Sequence, residues 1–367
     1  MSAPSSSDSL QPRRWDLFCR VIDNLGDIGV CWRLAANLAR LGQTVRLWID
    51  QPAPLAWMAP QGHPGVSVIP WTEPFDTAPL ASLPPGDVWI EAFGCELPEA
   101  FVAARQHDPV WLNLEYLSAE GWVERNHRLP SPVLRGPGEG LTKWFFYPGF
   151  TAGTGGLLRE PDATDADPQA DAAWLAGLKL PLRPDARRVL LFCYEPASLA
   201  PVMAQAREVD WLITPGRAEA AIRELPLHPD SHCHLLPAVP QPDFDRLLRS
   251  TDLNFVRGED SLVRALWAGR PFVWHIYPQH DDAHHAKLLA FLDWLEAPAS
   301  LRAFHLHWNG LTPIGAGAVW PDRAMLADWQ RAVKAAQARL MEQTDLARQL
   351  LAFVSGRLPR GSDIEKH

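Results

Sequence analysis

The sequence contains no run of basic residues interleaved with aromatics, and its 43 acidic side chains outnumber 34 basic ones, for a formal charge of −9. Nucleic-acid affinity comes largely from massed Lys and Arg, so this balance argues against a phosphate backbone as the main ligand. Cysteine is scarce: Cys19, Cys31, Cys95, Cys193 and Cys233 are scattered, odd in number, and form no CxxC pair. That pattern excludes a disulfide framework and reads as buried thiols in a reducing cytoplasm. The opening residues, MSAPSSSDSLQPRR, lack the apolar h-region of a signal peptide, and no stretch approaches the roughly 18 apolar residues of a membrane span. A cytoplasmic protein that works neither on nucleic acid nor in a membrane is expected. There is no HExxH, no GxGxxG and no internal repeat.

What is present is ordinary globular chemistry, 47% apolar and 21% charged over 367 residues, a length suited to two domains with separate cores. Residues 1–13 read as a disordered tail. WDLFCRVI (15–22) reads as a buried strand, followed by the turn DNLGDIG and a helix over about 28–41, where Val30, Leu34, Leu38 and Leu41 recur at spacings of three and four. Gly42 stops that helix and TVRLWID (44–50) is the next strand, which makes a βαβ unit. Further strands are expected at 66–69, 87–93, 109–116 and 143–149. Residues 156–187, rich in Asp, Ala and Pro, read as an interdomain crossing with one short helix. A second α/β series follows, with strands at 188–196, 210–216, 232–238, 252–258 and 271–277, and helices at about 217–224, 242–250, 260–269 and 283–294. The last helical segment, 323–356, is expected to turn back on the first domain. The fold class is therefore α/β: two facing Rossmann-like domains with a cleft at the carboxyl ends of both sheets.

Two stretches carry candidate chemistry. In Asp23-Asn24-Leu25-Gly26-Asp27-Ile28-Gly29, the glycines permit a tight strand-to-helix bend and the two aspartates can face one cleft. Either aspartate can instead act as a plain helix cap, at about 1 kcal/mol. Two carboxylates there would repel a pyrophosphate, so the turn suits a cationic group or proton abstraction. The second stretch runs from Thr251 to Trp294 and contains Arg257-Gly258-Glu259-Asp260-Ser261 at a strand-to-helix junction. Ser261 or Asp260 can cap that helix, whose N-terminus can receive a phosphate, helped by Arg257 and Arg264. Ahead of it, Phe192, Tyr194, Gln241 and Phe244 offer stacking surfaces and, in Gln241, a donor and an acceptor suited to a pyrimidine edge. His280, Asp281, Asp282, His284 and His285 have the residue types of a transition-metal site, although a solvated helix start explains them better.

WDLFCRVIDNLGDIGVCWRLA, LLFCYEP and LNFVRGEDSLVRALWAGRPFVWHIYPQ resemble the family of protein-arginine rhamnosyltransferases acting on bacterial elongation factor P, with the resemblance running from about Trp15 to the last helix. That resemblance implies a GT-B fold, with an acceptor domain at 14–178, a nucleotide-sugar donor domain at 184–345, and about 346–360 packing back on the first. It implies inverting transfer of L-rhamnose from dTDP-β-L-rhamnose to one arginine of elongation factor P, without a metal or other cofactor. Asp23, as the favoured general base, Asp27 and Glu259 then become catalytic. Asn24, Gly26, Tyr194, Gln241, Phe244, Arg257, Asp260 and Ser261 become donor contacts. The residues alone leave two rivals: a nicotinamide-dependent oxidoreductase using Asp50 on the ribose, and a non-catalytic module that grips the elongation factor.

Overall fold

The computed structural model describes residues 11–22, 25–223, 225, 232–278, 283–312 and 317–358. The first half is a seven-stranded sheet of Arg14–Cys19 (β1), Thr44–Ile49 (β2), Val66–Pro70 (β3), Val88–Ala92 (β4), Val110–Leu114 (β5), Pro130–Pro132 (β6) and Thr142–Phe146 (β7). Its order is β3-β2-β1-β4-β5-β7-β6, parallel except for the β6–β7 pair. Leu25–Arg40 (α1), Leu55–Met58 (α2), Glu99–Ala103 (α3) and Trp122–Asn126 (α4) connect these strands. Pro168–Gly177 (α5) is the short helix expected in the crossing, capped by the Asp167 side chain on the N–H groups of Gln169 and Ala170.

The second half is a five-stranded, wholly parallel sheet of Arg187–Leu191 (β8), Val209–Ile213 (β9), His232–Leu235 (β10), Leu253–Arg257 (β11) and Phe272–His275 (β12), in the order β10-β9-β8-β11-β12. Around it lie Leu199–Gln205 (α6), Arg217–Arg223 (α7), Gln241–Arg249 (α8), Gly258–Ala268 (α9), Ala283–Trp294 (α10), Ala299–Trp308 (α11), Arg323–Met341 (α12) and Leu346–Ser355 (α13). In both sheets the strand order reverses beside the first strand, between β1 and β4 and between β8 and β11. Such switch points open a crevice at the carboxyl ends of the strands, which is where ligands of open α/β sheets bind.

Both faces of the central strands β1, β2, β4 and β5 are buried, so these strands are mostly apolar on both sides rather than alternating. On β1, Trp15, Leu17 and Cys19 join the α1 side, where Ile28, Cys31, Leu34, Ala35 and Leu38 supply one helical stripe. Phe18 points the other way, into an aromatic layer with Trp48, Trp71, Trp89, Phe101 and Trp111. Phe18 and Trp48 stack at 5.2 Å, and the Trp48 indole N–H donates to buried Asp16 at 2.7 Å. Much of the tryptophan is thus structural.

The structure corrects several boundaries. The first strand ends at Cys19 rather than residue 22, and α1 begins at Leu25, three residues before the periodicity shows it. The segment 323–356 is two helices: Asp345 caps α13 through the Arg348 N–H at 3.0 Å and breaks the continuity. Leu326, Trp329, Val333, Ala336 and Leu340 of α12 belong to the second core, whereas Leu346, Leu350, Leu351, Phe353 and Val354 of α13 belong to the first. β6, α6 and α11 have no counterpart in the sequence reading: β6 and α6 span only three and seven residues, whereas α11 does carry a helical stripe of Leu301, Phe304, His305 and Trp308.

His305 of α11 ties that helix to the second sheet. It is fully buried, donates from Nδ1 to the Leu301 carbonyl at 3.0 Å and accepts the Trp274 N–H on Nε2 at 3.0 Å. Burial holds its pKa down at about 4. In the unfolded chain an imidazole titrates near about 6.5, so the unfolded state takes up the proton first. The stability from neutral His305 is therefore complete above about pH 6.5 and is lost as pH falls towards about 4. We expect His305→Gln, which keeps a donor and an acceptor but does not titrate, to lower the acid slope of unfolding free energy. Urea titrations between pH 6 and 4.5 should show a reduction of about 1.4 kcal/mol per pH unit.

Candidate functional site

The two switch points face each other, and two cavities that share Gly26 lie between them. The first is a cleft of about 90 Å³. Its second-half wall is made by Phe192 after β8, Thr214 and Pro215 after β9, the 236–239 loop after β10, Gln241 and Phe244 of α8, and Arg257, Asp260 and Ser261 at the β11–α9 junction. Phe192 and Phe244 meet edge to face at 5.4 Å and give this wall an apolar aromatic surface. The Gln241 amide donates to the Gly29 carbonyl at 3.2 Å, which fixes how its remaining polar atoms face the cleft.

Arg257 is buried, with its guanidinium 4.7 Å from the Phe192 ring and 4.6 Å from the Tyr194 ring. Tyr194 itself is fully packed and is not part of the cleft wall; it acts on the site by fixing Arg257. Beside it, α9 starts one residue after Arg257, on Gly258 with φ +64°. Neither Asp260 nor Ser261 caps this helix, contrary to expectation. Arg257 is the N-cap residue, its side chain makes no capping bond, and the Ser261 hydroxyl bonds back to the Arg257 backbone, donating to its carbonyl and accepting its N–H at 3.1 Å. The first N–H groups of α9 are left without a side-chain cap beside a stacked guanidinium, which is an anion-binding arrangement.

The second cavity, about 210 Å³, borders the first at Gly26, which lines both. It holds Asp27 from α1, Glu259 from α9, Lys287 and His284 from α10, and the rings of Phe93, Tyr116 and Tyr277. Asp27 is buried and accepts the Ile22 N–H at 2.8 Å, so it closes the bend into α1 and also borders the cavity. Glu259 is 18% exposed, with one oxygen 2.6 Å from the Lys287 ammonium and the other accepting the Leu117 N–H at 2.8 Å. Burial pushes its pKa up, Lys287 and the Leu117 N–H pull it back, and nearby Asp27 adds to the upward shift. His275, which accepts the Tyr194 N–H, is held neutral by burial, its pKa lowered to about 3.

Asp23 and Asn24 lie outside the described residues, as do His280, Asp281 and Asp282. Among the described residues no group of three or more His, Cys, Asp or Glu side chains is arranged to hold a metal ion. The described cysteines are all free thiols, and no described helix is long and apolar enough to cross a membrane. Asp50 accepts the Val21 N–H at 3.0 Å, inside its own half, and is absent from both cavity walls. Sequence reasoning missed Arg33 and Lys287. Nothing in their local context distinguishes either from a solvated helical cation, yet Arg33 is 6% exposed and lines the first cleft.

The family model for "Elongation-Factor P (EF-P) rhamnosyltransferase EarP" matches residues 15–355. The chain belongs to this family. It is 42% identical to the protein-arginine rhamnosyltransferase of Pseudomonas aeruginosa, over 92% of this chain and 98% of that one. The corresponding protein of Neisseria meningitidis is 40% identical over 76% of this chain and 77% of its own length. Among solved structures, one described as "Structural basis for EarP-mediated arginine glycosylation of translation elongation factor EF-P" matches 94% of this chain and all of its own, with 31% identity and a TM-score of 0.62. A spinosyn rhamnosyltransferase, SpnG, matches 93% of this chain and 99% of its own at 15% identity, with a TM-score of 0.56. The two parallel sheets are therefore those of a GT-B glycosyltransferase, as the resemblance implied.

The rhamnosyltransferase cleft depends on a close approach at Gly29 of α1. A Cβ there would lie 3.1 Å from an Asp260 carboxylate oxygen and 3.2 Å from the Gln241 amide nitrogen. Gly→Ala inside a helix usually gains about 0.5–1 kcal/mol. Gly29→Ala is instead expected to lose about 1–3 kcal/mol by overpacking. Gly177→Ala, with open space around its Cβ, should be neutral or stabilising. Urea midpoints of the two variants check the contrast.

Proposed function

We propose that the chain transfers L-rhamnose from dTDP-β-L-rhamnose to a guanidino nitrogen of one arginine of translation elongation factor P, with inversion of the anomeric carbon. The observation that carries this reading is the junction at Gly26. A cleft with an aromatic wall and an anion-binding helix end borders there a pocket that holds the Asp27 and Glu259 carboxylates. A nucleoside diphosphate fits the first in charge and in its flat base. A cationic, planar guanidinium fits the second.

In this reading Phe244 and Gln241 take the base, Arg257 and the α9 N-terminus hold the diphosphate, and Asn24, Gly26, Asp260 and Ser261 serve as further donor contacts by the family resemblance. The guanidinium is a poor nucleophile, because its pKa lies above about 12 and its lone pairs are delocalised. Paired hydrogen bonds from its planar fork to carboxylates orient it. As the nitrogen attacks from the face opposite the diphosphate, the C1–N bond forms and the C1–O bond breaks. The nitrogen loses one proton to a carboxylate, Asp23 by the family resemblance, with Asp27 and Glu259 holding the positive charge of the acceptor. The bonding pair leaves with the diphosphate, whose charge Arg257 and the helix end meet. One displacement inverts the centre, and no step is routed through a metal. A substrate that works in translation supports a cytoplasmic location.

Incubation of the chain with dTDP-β-L-rhamnose and elongation factor P is expected to add the mass of one deoxyhexose to the factor, read by intact mass spectrometry. Asp23→Asn and Asp27→Asn are each expected to slow the transfer by about 10²–10⁴-fold while leaving the far-UV circular dichroism unchanged. Binding of the factor without any gain in mass would favour a non-catalytic module.

A further inference from the structure

The anion-binding end of α9 carries two acids in its first turn, Glu259 and Asp260. Acids in a first turn ordinarily stabilise their own helix by facing its N–H groups and its positive dipole end. Here they would repel a diphosphate from the place it has to occupy. Neither acid faces that way. Asp260 is drawn sideways to Arg33 of α1, whose Nε lies 3.1 Å from one carboxylate oxygen. Glu259 is drawn to the opposite side by Lys287 of α10 at 2.6 Å. Each acid is thus matched by one cation, and each cation comes from a different element. The helix end between them keeps no side-chain cap.

Arg33 is itself held rigidly. Its two terminal nitrogens grip Asp245 of α8 at 2.9 and 3.0 Å, and Glu160 lies 3.4 Å away. Arg264 shares the load by pairing with Glu160 and donating to the Leu158 carbonyl at 3.2 Å. Arg33 therefore cannot follow a ligand into the cleft as a flexible cation would, and its effect on the ligand passes through Asp260.

We infer that Arg33 and Lys287 are positioning residues for nucleotide binding: by neutralising Asp260 and Glu259 and turning them aside, they keep the N-terminus of α9 open to a diphosphate. The inference rests on the donor assignment proposed above and adds the means by which an acidic first turn accepts an anion. Its signature is selectivity for charge. Loss of either cation leaves an unmatched carboxylate beside the phosphate position without altering the aromatic wall of Phe192 and Phe244.

The test is a calorimetric titration of the full chain with thymidine diphosphate and, by competition, with uncharged thymidine. Arg33→Met and Lys287→Met are each expected to weaken thymidine diphosphate binding about three- to thirtyfold and to leave thymidine binding within about twofold. Adding Glu259→Gln to Lys287→Met should restore most of the diphosphate affinity, although turnover stays low. Lys287 is partly exposed, so this pair serves if Arg33→Met does not fold. Arg249→Met, which breaks the bidentate Arg249–Asp171 pair away from the cleft, controls for the general loss of an ion pair and should leave both affinities unchanged. Equal weakening of both ligands, or no rescue by Glu259→Gln, would overturn the inference and leave the donor assignment standing. A wild-type chain that binds neither ligand would overturn both.

Discussion

The two halves are joined where Arg33 of α1 reaches Asp245 of α8 and Asp260 of α9, and the geometry of the site follows from that contact. Buried ion pairs are poor evidence of stability, because desolvation consumes most of what attraction supplies. Their value here is directional. A bidentate guanidinium–carboxylate pair tolerates little sliding, so α1 is held in one register against the donor-side helices. Gly29 then lets the backbone of α1 come within reach of the Gln241 amide, and Asp27, earlier on the same helix, arrives at the edge of the cleft. The carboxylates of this cluster respond differently to burial. Glu160, close to both Arg33 and Arg264, is held down at about 2, whereas for Asp245 burial outweighs its guanidinium neighbours and pushes the carboxyl up.

Much of this was legible in the chain. The βαβ unit around DNLGDIG shows in an apolar run, a glycine turn and a stripe with helical spacing, all local signals. RGEDS at the end of a strand marks the second junction in the same way, and Gln241, Phe244, Arg257, Asp260 and Ser261 do come together on one cleft. Tyr194 was legible as part of that site but not as its support, because its burial beneath Arg257 is decided by tertiary packing.

The remainder depended on contacts that link residues far apart in sequence. Arg33 and Lys287 look like surface cations until α8, α9 and the Leu117 loop are folded against them. The uncapped start of α9 was hidden for two reasons: Asp260 is drawn to distant Arg33, and the Ser261 hydroxyl turns back to the Arg257 backbone four residues earlier. The break between α12 and α13 turns on Asp345, whose capping role shows only where the helix is seen to restart.

The return of α13 to the first core has a further effect, on the order in which the chain can fold as it is made. Leu346, Leu350 and Phe353 complete a hydrophobic surface whose other parts were synthesised long before, with the entire second half in between. The first sheet therefore leaves the ribosome with one side of its core uncovered. The core of the second half, drawn from β8 to α12 together with Leu117, Phe150, Leu157 and Leu175 made before them, lacks no such later piece once α12 has emerged. Folding order along the nascent chain is thereby inverted: the half made first is finished last.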